Sequence, residues 1–201
     1  MSVQTDVQVG FINDENAADP DRLVTAARPN TSATMAATTF AGGGARNVTV
    51  TTTATNDNAK TCTITGTDVF GNAITEVITS TSSAETVAGA KLFLTVSAVV
   101  CSAQYAANIT VGSGSLCASA VAGGGRTRLK GYSIVSAGTA GLVDFFNGTP
   151  DSGTIIFKAQ TIGTDNLTLD NTIPDEGMLF KAGLSVKYTV ATVVLMNVFF
   201  A

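Results

Sequence analysis

From residue 46 onward, apolar and polar residues alternate with a period of two. Val48 and Val50 alternate with threonines, and so do Cys62 and Ile64. Successive side chains of a strand point to opposite faces, so this alternation predicts antiparallel strands with one buried and one solvent-facing side. Turn-forming residues separate the runs, at 56–58, 68–72 and 112–114. Because no segment has a convincing helical period, the pattern predicts an all-β fold.

Two glycine-rich segments interrupt this pattern. Three glycines at 42–44 and three more at 123–125 each precede an arginine and then an apolar run. We interpret them as joints between an extended N-terminal arm (1–42), a first β-sandwich module (43–121) and a second β-sandwich or jelly-roll module (126–201). Each module exceeds the lower limit of about 40 residues for a self-sufficient core.

The predicted arm has few large apolar side chains. It carries an acidic stretch at 14–21 and is broken by Pro20 and Pro29. Burial within the chain would then not offset an ordering cost of about 1 to 2 kcal/mol per residue, so we expect the arm to gain order on a partner. The alternative is a dispensable tail. The predicted partner-binding residues of the arm are Val7, Val9, Phe11, Ile12, Leu23 and Phe40.

Composition narrows the class of partner. Charged residues make up 13% of the chain, against about 25% in a typical soluble domain, which favours a surface covered by other proteins. A net charge of −4 with 11 Lys plus Arg argues against binding to nucleic acid or to an anionic membrane. The apolar stretch at 188–201 is shorter than the ~20 residues of a membrane-spanning helix, and the N-terminal residues do not resemble a signal peptide.

Candidate chemistry is sparse. The chain has no His, and its three cysteines, Cys62, Cys101 and Cys117, form no Cys-x-x-Cys pair, so we predict no metal site and no cofactor. We expect three buried thiols, with a single Cys62–Cys101 disulfide as the alternative. Asp175 and Glu176 are adjacent in a predicted turn, where they would not face a common substrate. We therefore predict no catalytic residues and no enzyme activity.

Two stretches of sequence resemble known modules. The segments 44–50 and 62–76, which contain Thr65-Gly66-Thr67-Asp68, and the closing run 107–114 are similar to a β module of tailed-bacteriophage virion proteins. The segments 128–141 and 173–180, together with the C-terminal 198–200, resemble a module that often ends small phage head or tail proteins. The resemblance covers residues 44–200 and implies an architectural role without active-site residues.

This resemblance leads to an expected function. It implies a capsid decoration or cement protein that stabilises the head across capsid subunits, binds the major capsid protein or other virion proteins, and associates with itself as a homotrimer. Such a protein is found in the virion and assembled in the host cytoplasm. A phage tail, adaptor or fibre-base component is the alternative. A carbohydrate-binding or adhesive surface module is a candidate of another class, although the chain lacks the Trp that usually stacks on sugars.

Overall fold

The computed structural model describes residues 7–13, 17–81 and 83–201, and no helix occurs in these residues. The predicted all-β, antiparallel fold is confirmed. The strands are β1 (Gln8–Asn13), β2 (Val24–Ala27), β3 (Ala45–Thr52), β4 (Thr61–Thr67), β5 (Ala73–Thr79), β6 (Thr86–Phe93), β7 (Thr95–Cys101), β8 (Ile109–Ala122), β9 (Thr127–Ser136), β10 (Ala140–Asn147), β11 (Thr154–Ile162), β12 (Thr168–Thr172), β13 (Met178–Phe180), β14 (Leu184–Thr189) and β15 (Val193–Phe200).

The chain forms two compact units. The central unit contains residues 17–116, and the C-terminal unit contains residues 117–201 together with the described residues 7–13 near the N-terminus. Strand β8 crosses the boundary between Leu116 and Cys117.

The central unit is built from two sheets. One has the strand order β8-β3-β6, with β2 also paired to β8, and the other has the order β5-β4-β7. The alternation of apolar and polar residues in the sequence matches the burial of β4, in which half-buried and buried residues alternate along the strand. Core side chains come from both sheets and include Val48, Val50, Ile64, Phe93, Val96 and Ile109.

The C-terminal unit also contains two sets of strands. One has the order β1-β15-β9-β12, with β13 paired to β9, and the other has the order β11-β10-β14. Tyr132, Phe145 and Phe157 form an aromatic group with ring centroids 5.5 to 5.6 Å apart. Leu129, Ile134, Val186 and Met196 belong to the same buried cluster.

The second glycine joint does not divide the units. Predicted modules 43–121 and 126–201 would meet at 122–125, whereas the boundary of the structure lies inside β8, and glycines 123–125 connect β8 to β9 within the C-terminal unit. Cys117, in the last part of β8, is buried in the core of that unit. Glycine-rich composition indicates a turn, but it does not indicate which strands that turn joins.

The predicted arm 1–42 also differs from the structure over residues 7–13 and 17–42, while its residues 1–6 and 14–16 lie outside the described residues. Strand β1 belongs to the C-terminal unit, and residues 17–42 pack into the central unit. The Leu23 amide donates to the Val111 carbonyl at 2.8 Å, and the Ala33 amide donates to the Val99 carbonyl at 2.9 Å. Strands β7 and β8 thus supply hydrogen-bond partners for the backbone of this segment. The prediction of an arm considered only the few apolar side chains of the segment and not these backbone bonds.

A glycine permits part of this docking. A Cβ at Gly112 would lie 2.0 Å from the carbonyl oxygen of Asp19 and 2.4 Å from the carbonyl carbon of Pro20. The amide of Ser113 donates to that same Asp19 oxygen at 2.7 Å. The segment before β2 can therefore approach β8 only because residue 112 has no side chain.

Candidate assembly surface

The predicted partner-binding residues separate into two groups. Ile12, Leu23 and Phe40 are buried, with 6%, 0% and 4% of their surface exposed, so they anchor the N-terminal segment to the chain's own cores. In contrast, Val7, Val9 and Phe11 are 50%, 54% and 64% exposed. Only this second group is accessible to a partner, and a role in partner binding remains a prediction for it.

Strand β1 holds two of these exposed side chains in a fixed position. It pairs antiparallel with β15, so that Val9 lies opposite Phe199 and Phe11 lies opposite Asn197. Ile12, which points the other way because side chains alternate, enters the core of the C-terminal unit. The strand is thus attached by one face and displays Val9 and Phe11 on the other.

Strand β1 itself carries no charged residue. The strand is Gln-Val-Gly-Phe-Ile-Asn, and Phe199 of the neighbouring strand is half-buried beside Val9. β1 is the end strand of its sheet, and its outer edge pairs with no other strand among the described residues. We call the residues Val7, Val9, Phe11 and Phe199, with this edge, the β1 surface. Sequence reasoning missed Phe199, since β1 and β15 are far apart in the chain.

A second uncharged surface occurs on the central unit. On the outer face of β4, Thr63 lies between Val77 of β5 and Val100 of β7. Val77 is 57% exposed and Val100 is 40% exposed. The alternation of the sequence predicted an outer face for each strand, but it did not predict which strands would be neighbours.

The most unusual buried group of the central unit is a pair of cysteines beside a tyrosine. Cys62 and Cys101 lie opposite each other on β4 and β7, with their Sγ atoms 3.4 Å apart. The hydroxyl of Tyr105 lies 3.3 Å from the Cys62 Sγ and 3.1 Å from the Ser80 Oγ. Tyr105 has no exposed surface.

These contacts shift the acidity of the group. The hydrogen bond from the Cys101 thiol lowers the pKa of Cys62, burial opposes this effect, and the Tyr105 hydroxyl adds to it. The same bond raises the pKa of Cys101, which burial raises further. Burial, followed by the contact with Cys62, raises the pKa of Tyr105.

An ion pair holds the loop that carries Tyr105. The Nζ of Lys60 lies 2.7 Å from the Asp57 Oδ1, which also accepts the Ala106 amide at 2.7 Å. Burial alone would raise the pKa of Asp57, but the bonds from Lys60 and Ala106 and the charges of Lys60 and Arg28 together lower it. Arg28 donates its Nε–H to the Tyr105 carbonyl at 2.6 Å. From the sequence, Asp57 is predicted only as a turn residue.

The other residues considered as catalytic or metal-binding candidates do not come together in one site among the described residues. Asp175 and Glu176 lie in the turn that precedes β13, and Glu176 pairs with Arg128 at 2.8 Å. Within the described part of the chain, no cluster of three or more His, Cys, Asp or Glu side chains could hold a metal ion. No helix in that part is long and apolar enough to cross a membrane.

Comparison with known proteins gave no match: no protein-family model, curated protein or solved structure matches this chain.

Proposed function

We propose that this chain is a structural protein of a bacteriophage virion, which decorates or cements the head by binding to copies of itself and to the major capsid protein. The association is a homotrimer bound across several capsid subunits. The assignment to a virion rests on the resemblance of residues 44–200 to phage virion modules. One structural observation supports assembly as the activity, namely the uncharged, exposed β1 surface.

The β1 surface lacks the features that keep a monomer apart from its neighbours. End strands of monomeric β proteins usually carry Lys, Pro or a bulge, which prevents another strand from pairing with them. Strand β1 contains no charge and no proline, and its pairing with β15 is regular over all six residues. Such an edge accepts an additional strand from a partner.

The energy available at this surface is modest for each copy. Full burial of a side chain such as Val or Phe contributes about 1.5 to 3 kcal/mol, so the exposed parts of Val9 and Phe11 offer about 1 to 2 kcal/mol each. Backbone pairing along the edge adds to this. In a shell, many such contacts act together, so weak individual contacts hold a decoration protein firmly.

The proposal is tested by placing a charge on the β1 surface. Phe11→Lys should weaken concentration-dependent self-association and retention on purified phage heads at least about tenfold, because a lysine would have to be desolvated at the contact. Ile162→Lys is the matched control, since Ile162 is 57% exposed at the end of β11 and lies outside this surface. Both variants should keep the melting temperature of the unmodified protein.

Mass measurement and particle imaging provide the decisive readouts. An unmodified protein that stays monomeric at high concentration and does not bind heads would reject the proposal. If Phe11→Lys and Ile162→Lys bind equally well, the β1 surface is not the contact. Binding to tails instead of heads would favour the tail, adaptor or fibre-base alternative.

A further inference from the structure

We propose that Cys62 and Cys101 are a site of disulfide formation. In the folded protein, a small peroxide oxidises the two thiols to a disulfide bond, which links β4 covalently to β7. Nothing in this inference depends on the function proposed above. It would give the central unit a covalent cross-link once the protein leaves a reducing environment.

The backbone already holds the two cysteines in a suitable position. They are direct partners in the antiparallel register of β4 and β7, and the pairing is regular from Cys62 to Thr65. Opposed residues of such a pair have Cα atoms about 4.5 to 5.5 Å apart, which falls within the range of about 4.4 to 6.8 Å found in disulfides. The bond can therefore form without a change of strand register.

The sulfur atoms need only a short movement. They are 3.4 Å apart, and a disulfide bond measures about 2.05 Å, so they must approach by about 1.4 Å. Both side chains point into the same core. A small rotation about the Cα–Cβ bonds is enough to bring the sulfurs together.

The contacts around the pair assign a role to each thiol. The Cys62 sulfur lies 3.4 Å from the Cys101 sulfur and 3.3 Å from the Tyr105 hydroxyl, and donation by these groups to a Cys62 thiolate lowers the pKa of Cys62. The thiolate is the form that attacks an oxidant. Cys101 keeps its proton and lies within reach as the resolving thiol.

The reaction balances with hydrogen peroxide as the oxidant. The Cys62 thiolate attacks one peroxide oxygen, the O–O bond breaks, and the products are a sulfenic acid on Cys62 and, after protonation, one water. The Cys101 sulfur then attacks the Cys62 sulfur and displaces the hydroxyl group, which leaves as a second water with the Cys101 proton. Two thiols thus lose two electrons to one peroxide, and two waters are formed.

Access to the sulfurs depends on the loop that carries Tyr105. Cys62 has no exposed surface and Cys101 has 4%. The loop is held by Lys60, which donates to the Gln104 carbonyl at 2.7 Å, and by the bond from the Ala106 amide to Asp57. A small neutral oxidant therefore reaches the pair when this loop opens locally.

The experiment maps the thiols of the full chain after oxidation. The folded protein is treated with hydrogen peroxide, alkylated after unfolding, and analysed by peptide mass spectrometry. We expect two of the three thiols to be lost, a linked peptide that joins Cys62 to Cys101, and Cys117 alkylated. Three alkylated thiols, a bond to Cys117, or sulfinic acid without a cross-link would each overturn the proposal.

Thermal stability gives a second readout. The cross-link closes a long loop, so oxidation should raise the melting temperature by roughly 10 °C or more, and dithiothreitol should reverse the rise. Cys117→Ser should retain the oxidant-dependent rise, whereas Cys101→Ala should lack it. If Cys101→Ala does not fold, the linked peptide of the unmodified protein still decides the question, because its absence alone rejects the site.

Discussion

Replacement of Leu23 by alanine tests whether the N-terminal segment 17–42 belongs to the central core. Leu23 has no exposed surface and its amide bonds to Val111 of β8. Leu-to-Ala changes in a core lower the free energy of unfolding by about 2 to 5 kcal/mol, because hydrophobic burial is lost and a cavity is left behind. We expect a loss of about 3 kcal/mol in the free energy of unfolding. Since few large side chains hold this segment, its local opening should become easier by a similar amount.

Urea denaturation and amide hydrogen exchange measure the two effects. Protection of the Leu23 and Ala33 amides should fall on the order of 100-fold, which corresponds to about 3 kcal/mol. Leu142→Ala is the control, because Leu142 is 46% exposed on β10, and it should cost less than about 1 kcal/mol. Suppose that Leu23→Ala lowers the free energy of unfolding no more than the control does, and that the two amides are unprotected in the unmodified protein. Segment 17–42 is then not part of the central core, and the prediction of an independent arm stands for it.

Two further substitutions test particular contacts. Gly112→Ala should lower the stability of the central unit by about 1 to 3 kcal/mol, because its Cβ would overlap Asp19, whereas Gly123→Ala, with open space around it, should change little in the same melts. Asp57→Asn should cost about 1.5 to 3 kcal/mol at pH 7, through loss of the charged bond to Lys60. Because the pKa of Asp57 is lowered in the folded state, its contribution is present above the ordinary carboxyl pKa of about 4 and disappears as the pH falls through the folded value. The difference in unfolding free energy between the two proteins should therefore narrow as the pH falls from 7 to 2.5, and a constant difference would contradict the assignment.

The sequence predicts the strands well because their signal is local. The alternation of Thr61 to Thr65 marks β4 without reference to any other part of the chain. Strand pairing is different, since the partner of β1 is β15, and Gln8 lies opposite Phe200 at the other end of the chain. No local pattern specifies that neighbour. The division of the chain into units also depends on such long-range pairs, because β1 belongs to the C-terminal unit through its pairing with β15.

For the candidate sites too, the sequence shows which residues are apolar but not which of them are buried by distant parts of the chain. The sequence identified Val9 and Phe11 as apolar residues of an N-terminal segment, and these two are exposed. It placed Leu23 in the same group, yet that side chain is buried. The difference arises from docking against β8, which the composition of residues 1–42 does not reveal. For the cysteines, the sequence predicts three buried thiols, with a Cys62–Cys101 disulfide as the alternative. The register of β4 and β7 is what brings these two sulfur atoms together.

The way β1 is attached changes the physical argument for assembly. A disordered arm would have to be ordered by its partner, at a cost that reduces the net affinity of the contact. In the structure, the ladder with β15 and the burial of Ile12 already order the strand within its own unit. Val9 and Phe11 are then held on the opposite face before any partner arrives. A preorganised strand of this kind retains more of its burial energy as affinity, so a short, uncharged surface would be sufficient for the repeated contact that the proposed function requires.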